Sequence, residues 1–199
     1  MTEPRLGDAE IVEILTQTGA IKHGHFVLTS GRHSDTYIQC AQVMESPELT
    51  MKLAREAVAR LPHEVREAVD VVAAPALGGI TYGFAVALAL GVNFIFSERV
   101  QGKMHFRRSF HIEPGQNVLV CEDVVTTGGS VAEVIELVRE AGGNVVGVTS
   151  IIDRKTARKF SEPFYPLLEF PTQSWAPEEC ELCANGGEPQ SLGSRTLAK

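Results

Sequence analysis

The sequence predicts an α/β fold: a central, mostly parallel sheet flanked by helices, with a small hairpin layer near the N-terminus. Three observations carry this reading. Short, mostly apolar runs at 69–73, 93–97, 118–121 and 144–152 suit strands buried on both faces. Stretches with apolar residues at helical spacing alternate with them. Glycine-rich loops follow the strands at 75–79 and 126–130, where open α/β sheets bind their ligands.

The totals agree with a folded enzyme-sized domain. With 199 residues and 44% hydrophobic content, the chain can bury a sizeable core as one domain. A charged fraction of 22% argues against disorder. The net charge of -7 argues against nucleic acid or an anionic membrane surface as a partner. The longest mostly apolar stretch, 82–96, is interrupted by Asn93 and is short for a bilayer span, and no charged-then-apolar leader opens the chain. Four cysteines without secretory context read as reduced thiols in a cytoplasmic protein.

The elements follow in order. Residues 8–18 place Ile11, Ile14 and Leu15 on one helical stripe, which Gly19 ends. Residues 26–40 read as strand, turn at Ser30-Gly31-Arg32, and strand. Ser46 and Pro47 start a helix to about Leu61, with Leu49, Leu53, Ala57 and Leu61 inward. A strand at 69–73 leads through Pro75-Ala76-Leu77-Gly78-Gly79 into an apolar helix closed by Gly91, and a further strand covers 93–97. A last strand is expected at 167–170, and from Ala184 the Gly- and Ser-rich tail reads as poorly ordered.

The stretch 118–130 runs Val-Leu-Val-Cys-Glu-Asp-Val-Val-Thr-Thr-Gly-Gly-Ser, and Val131, Val134, Ile135 and Val138 continue it at helical spacing. This is a strand, a loop of small and hydroxylated residues, and a helix N-terminus. Free backbone N–H groups and the helix dipole there favour a phosphate. Glu122 and Asp123 would repel one, so they suit the vicinal hydroxyls of a sugar. Together the stretch asks for a ribose 5-phosphate.

Other features have two readings each. The 75–79 loop is either helix-entry punctuation or a second phosphate cradle, and its place at a strand end favours the cradle. Between Glu98 and Glu113 lie Arg99, Lys103, His105, Arg107, Arg108 and His111 without a carboxylate. That run is either a solvated face or a mobile loop that folds over a polyanion. Asp153-Arg154-Lys155 is either a capped helix start or a route for Arg154 into the site. Cys180-x-x-Cys183 supplies half of a tetrahedral zinc site with no second pair nearby in sequence, so packing or a surface thiol pair is preferred.

The 122–130 segment resembles the phosphoribosyl pyrophosphate (PRPP) motif of type I phosphoribosyltransferases. The segment Glu-Arg-Val-Gln-Gly-Lys-Met-His at 98–105 resembles the catalytic loop of orotate phosphoribosyltransferases, and 24–34 is similar to their N-terminal hood. The similarity extends from about Gly19 nearly to the end. It implies a type I phosphoribosyltransferase fold in one domain, 1–199, with hood elements at about 19–45 and in the C-terminal segment, and a PRPP-binding core at about 46–170. It implies transfer of phosphoribose from PRPP to orotate with Mg2+ held mainly through PRPP and no direct protein ligand.

By the same resemblance, Val124, Val125, Thr126, Thr127, Gly128, Gly129 and Ser130 bind PRPP, while Glu122 and Asp123 take the ribose hydroxyls. Ala76, Leu77, Gly78 and Gly79 form the pyrophosphate loop. Arg99, Lys103 and His105 close over pyrophosphate from the neighbouring subunit of a homodimer, with Lys103, His105 and Asp123 catalytic. Thr126 and Arg154 meet orotate, with backbone near Ser30 and Tyr37. The family's better-known branch has lysines where this chain has Thr29, Gly78 and Val100, and Arg107 and Arg108 are candidates to substitute for them. Two alternatives remain. A purine phosphoribosyltransferase would keep the PRPP motif with another base pocket, and a PRPP-sensing regulator would keep the fold with an added nucleic-acid-binding element.

Overall fold

The computed structural model describes residues 5–28 and 30–192. Helix α1 (Asp8–Gln17) buries Ile11 and Leu15, and the Glu10 carboxylate accepts the Gly7 N–H at 2.8 Å to close its first turn. Strands β1 (Ile21–Val27) and β2 (His33–Ile38) pair antiparallel as a separate two-stranded layer. The strand begins earlier than its apolar end at Phe26 suggests, because the polar residues Lys22 and His23 pair through their backbone. Gly31, at φ +78°, turns the chain between the strands. Thr29 lies outside the described residues.

Helix α2 (Ala41–Met44) is a single turn, and α3 (Pro47–Arg60) follows with the Ser46 hydroxyl accepting the Leu49 N–H at 3.3 Å. Its stripe buries Leu53, Ala54 and Ala57. Helix α4 (His63–Ala68) was not expected; it buries no residue, so it leaves no apolar stripe in the sequence.

The main sheet contains β3 (Val71–Pro75), β4 (Asn93–Val100), β5 (Lys103–Phe106), β6 (Asn117–Val125), β7 (Asn144–Asp153) and β8 (Phe164–Glu169). Its order is β5-β4-β3-β6-β7-β8, parallel throughout except for the antiparallel β4–β5 edge. Helix α5 (Gly78–Leu90) connects β3 to β4, and α6 (Gly129–Glu140) connects β6 to β7. Strand alternation sends Val72, Ala74, Leu119 and Cys121 into a core shared with α1, α3 and α5. Val71, Ala73, Val118 and Val120 face the other way, onto Val131, Val134 and Val138 of α6.

Two expectations are corrected. The basic stretch is not a loop throughout: β4 runs on to Val100, turns at Gln101 (φ +48°) and Gly102 (φ +86°), and returns as β5 with Val100 opposite Lys103. Two consecutive positive φ values make the tight turn that fits strand twist. The C-terminal tail is also ordered through Leu192. A short 3-10 turn (Pro177–Glu179) and helix α7 (Glu181–Ala184) precede a segment in which Gln190 exchanges backbone hydrogen bonds with β1. Residues 193–199 lie outside the described residues.

One buried carboxylate ties the N-terminus to α3. Glu56 accepts from Arg5 Nε at 2.9 Å, Arg60 Nε at 2.8 Å and the Leu6 N–H at 3.1 Å. Burial pushes its pKa up, but the hydrogen bonds from Arg60, Arg5 and Leu6 outweigh it and hold the carboxyl below its ordinary value. A depressed pKa contributes stability above the unfolded value that is lost as pH falls through the folded one. Glu56→Ala is expected to lower stability by about 2 kcal/mol at neutral pH. In thermal melts the difference from wild type should shrink as the carboxylate range is crossed downward.

Candidate active site

Strand β6 ends in two half-buried acids, Glu122 and Asp123, at the edge where the β3–α5 and β6–α6 loops meet. Burial, then the neighbouring Asp123 charge, pushes the Glu122 pKa well above the carboxylate range, and the Asp123 N–H donates to its Oε1 at 3.1 Å. Two acids held this close are poised to accept hydroxyl donors or face a cation.

Both neighbouring helices begin bare. Helix α6 starts behind Gly128 (φ +67°), with no side-chain cap and no acid in its first turn. The Ala132 N–H makes the first helical bond, to Gly128 O at 2.9 Å, so the N–H groups of Gly129, Ser130 and Val131 have no helical acceptor. Helix α5 starts the same way behind Leu77, uncapped and without a first-turn acid. By contrast, α1 and α3 carry acids at their starts. An anion supplies what the two bare ends lack.

The glycines make this arrangement possible. A Cβ on Gly78 would stand 2.6 Å from Asp123 Oδ1, and one on Gly79 would stand 3.2 Å from Glu122 Oε1. A Cβ on Gly128 would meet the Phe160 ring at 2.5 Å. The Ala76 N–H is tied to Ser97 O at 2.8 Å, the Ala76–Leu77 peptide is cis, and Leu77 is 84% exposed.

Within 122–130, the side chains divide. Thr126 and Thr127 are exposed and Ser130 half-buried at the loop, while Val125 is buried in the α6 core and Val124 packs on the opposite one. The valines therefore offer the site backbone only. The Thr126 and Thr127 carbonyls are fixed by the Thr156 hydroxyl at 2.6 Å and the Lys159 N–H at 2.9 Å.

Arg154 leaves the end of β7 with its N–H on Val125 O at 3.0 Å. Its guanidinium is half-buried, and burial lowers its pKa from the ordinary arginine value. Among the described residues its side chain meets only the Thr172 hydroxyl, at 2.8 and 2.5 Å. This leaves an unneutralised cation beside the acids' strand. The segment after Thr172 grips the β1–β2 layer: Gln173 O accepts from Ser34 Oγ at 2.7 Å, Ser174 accepts from Arg32, and Trp175 pairs with His33. Ser30 lies exposed in the turn of that layer, and the Tyr37 hydroxyl donates to Leu192 O at 3.3 Å.

The basic hairpin sorts its charges. Arg99 forms a two-pronged pair with Glu133 of α6, at 2.9 and 2.8 Å, and Arg108 does the same with Glu98, at 3.1 Å for each bond. Arg107 also faces Glu98, at 3.9 Å. The two arginines considered as replacements for lysine are thus engaged with a carboxylate. Lys103 and His105 are exposed on one face, with Met104 buried between them and no carboxylate partner among the described residues. Glu133 and Thr172 were not anticipated. Glu133 sits on the polar face of an amphipathic helix, and Thr172 lies outside any motif.

Residues 41–182 match the phosphoribosyl transferase domain model. The chain is 47% identical to the orotate phosphoribosyltransferase of Heliobacterium modesticaldum, over 94% of this chain and 98% of that one. It is also 47% identical to that of Desulforamulus reducens, over 94% and 97%. Among solved structures it is similar to orotate phosphoribosyltransferase from Aeropyrum pernix (TM-score 0.70, 23% identity, 80% of this chain and 93% of that one). The Mycobacterium tuberculosis enzyme in complex with inorganic phosphate is similar as well (TM-score 0.61, 26% identity, 81% and 95%).

The elevated Glu122 pKa has a sign. Its favourable contribution is complete below the ordinary carboxylate value of about 4.3 and is lost as pH rises through the raised folded value. Glu122→Gln is therefore expected to melt at a higher temperature than wild type at neutral pH, with the gap closing on acidification. A lower melting temperature at neutral pH would remove the strain assigned to this pair.

Proposed function

Because the chain belongs to the orotate phosphoribosyltransferases, we propose that it transfers the 5-phosphoribosyl group of PRPP to orotate, giving orotidine 5-phosphate and pyrophosphate in UMP biosynthesis. Its fold is the type I phosphoribosyltransferase fold. The observation that carries the reading is the Glu122–Asp123 pair set between the bare N-termini of α5 and α6. PRPP has phosphate at two ends of a sugar with two free hydroxyls, and this site offers anion cradles on either side of hydroxyl acceptors.

In this reading the backbone of residues 126–131 holds the 5-phosphate and the 76–79 loop holds pyrophosphate. Glu122 and Asp123 accept from the ribose hydroxyls. Arg154 pairs with the orotate carboxylate, with Thr126 beside it. Bond breaking at C1 leaves positive charge on the ribose and negative charge on the departing pyrophosphate. Lys103 and His105, which have no carboxylate partner among the described residues, stabilise the latter. The closing hairpin excludes water, which would otherwise capture the ribosyl cation. Magnesium held through PRPP would fit here, since a cation near Glu122 and Asp123 would offset the repulsion between the two acids. Bound through PRPP, it supplies charge neutralisation on the leaving group.

The homodimer and the shared loop belong to the same proposal. In the sheet, β5 is three strands from β6, about 14 Å at the usual spacing, a separation that suits Lys103 and His105 to serving the acids of a neighbouring subunit. Leu77, Phe84 and Leu88 are 84%, 58% and 60% exposed, a run of large apolar side chains on and before α5 that suits contact with a second subunit. The single-domain division belongs to the proposal too, with hood elements at about 19–45 carrying the two-stranded β1–β2 layer and the core at about 46–170 carrying the six-stranded sheet. A cytoplasmic location suits four unpaired cysteines. Among the described residues no helix is long and apolar enough to cross a membrane.

Orotate consumption in the presence of PRPP and Mg2+, with stoichiometric pyrophosphate release, tests the activity. Turnover of adenine or hypoxanthine instead would assign another base. Lys103→Ala should lower turnover roughly a hundredfold, the equivalent of about 3 kcal/mol, with the fold intact. Mixing Lys103→Ala with Asp123→Asn chains should restore part of the activity, since a mixed dimer contains one unmutated site. No recovery after confirmed subunit exchange would place the loop in its own chain's site.

A further inference from the structure

The Cys180-x-x-Cys183 pair, read in the sequence as packing or surface thiols, meets two histidines from the opposite end of the chain. Cys180 Sγ lies 3.4 Å from His25 Nε2, and Cys183 Sγ lies 3.7 Å from the same atom. Cys183 Sγ is 3.3 Å from His33 Nδ1, and the two histidine nitrogens are 3.1 Å apart. All four potential ligand atoms fall within 4.8 Å of one another. His33 and Cys180 are buried.

We propose that His25, His33, Cys180 and Cys183 form a structural zinc site that clamps the β1–β2 layer to the C-terminal segment. The distances carry the assignment. Zinc bonds of about 2.3 Å to sulfur and about 2.0–2.1 Å to nitrogen, at tetrahedral angles, put ligand atoms about 3.3 Å apart for two nitrogens and about 3.6 Å apart for nitrogen and sulfur. The four contacts above run from 3.1 to 3.7 Å and all four ligand atoms lie within 4.8 Å of one another, so a small closing of the cluster brings them to such a tetrahedron. Two thiolates and two imidazoles are a closed structural set for zinc, with no position left for water or substrate.

The backbone is arranged to present these ligands. Strand β1 bulges between His23 and Phe26, so that Gly24 and His25 together oppose Asp35. A bulge re-aims the side chain it carries, and here His25 comes to the side occupied by His33, ring against ring at a 5.1 Å centroid distance. Trp175 exchanges backbone hydrogen bonds with His33, and Gln190 N donates to His25 O at 2.8 Å. The C-terminal segment is thereby held against both histidines on each side of the cysteine pair. Tetrahedral zinc selects soft thiolate and imidazole ligands, and each cysteine gives up its proton on binding.

The site is separate from the proposed PRPP site, and its test does not depend on turnover. Untagged protein purified without chelator should contain close to one zinc per chain by mass spectrometry of the metal. His25→Ala, His33→Ala and Cys183→Ser should lose it, whereas His23→Ala, beside the bulge, should keep it. Should the variants fail to fold, cobalt settles the question in the wild type. Co2+ added to reduced, metal-stripped protein should give the intense visible bands of tetrahedral coordination and a thiolate-to-cobalt charge-transfer band. Wild-type protein that lacks zinc and gives no tetrahedral cobalt spectrum would overturn the proposal, as would zinc retained at full stoichiometry by folded ligand variants.

Discussion

The site depends on a close approach: helix α5 begins against the carboxylates of Glu122 and Asp123, with no side chain at Gly78 or Gly79 to hold them apart. That approach packs two carboxylates together at one helix start, where their mutual repulsion is unfavourable in the empty protein and is relieved by a ligand that brings hydroxyl donors. Burial, and after it the Asp123 charge, raises the Glu122 pKa, the energetic sign of this close packing. It also explains why a lysine at position 78 would not fit this geometry, since its Cβ would collide with Asp123. Functional strain of this kind is supported by the surrounding rigid core, in which β3 and β6 are buried on both faces.

A second dependence runs through the strap at 172–175. Four consecutive residues connect Arg154 to the β1–β2 layer, through Thr172, Gln173, Ser174 and Trp175. Consecutive residues advance at most about 3.6 Å each, so the layer lies close to the arginine assigned to the base. The strap leads directly into the cysteine pair. Local order in a small, exposed two-stranded layer is hard to sustain by its own pairing, and the strap and the inferred clamp give it external support.

Much of this was legible in the sequence, for physical reasons. The parallel strands are mostly apolar runs, and α3 and α6 carry clear stripes with Ser46-Pro47 and Gly128-Gly129 at their starts. The PRPP-type stretch was legible because strand, acids, loop and helix are contiguous. Helix α4 was hidden because it buries nothing, and β5 because its alternation is carried by Lys103 and His105 around one buried methionine. The four-residue His and Cys cluster was hidden for another reason. Its halves are about 150 residues apart in the chain, and the bulge in β1 and the backbone pairing of the C-terminal segment bring them together. Glu133 and Thr172 belong to the same class: their roles exist only through tertiary contacts.

The central claim is that the Glu122–Asp123 pair binds the ribose of PRPP between two anion cradles. Calorimetric titration with PRPP and Mg2+, comparing wild type with the Glu122→Gln/Asp123→Asn double variant, tests it most directly. The account predicts saturable binding to the wild type that ribose 5-phosphate competes away, and at least a tenfold weaker affinity in a folded double variant, about 1.4 kcal/mol. Unchanged PRPP affinity in that variant would contradict it.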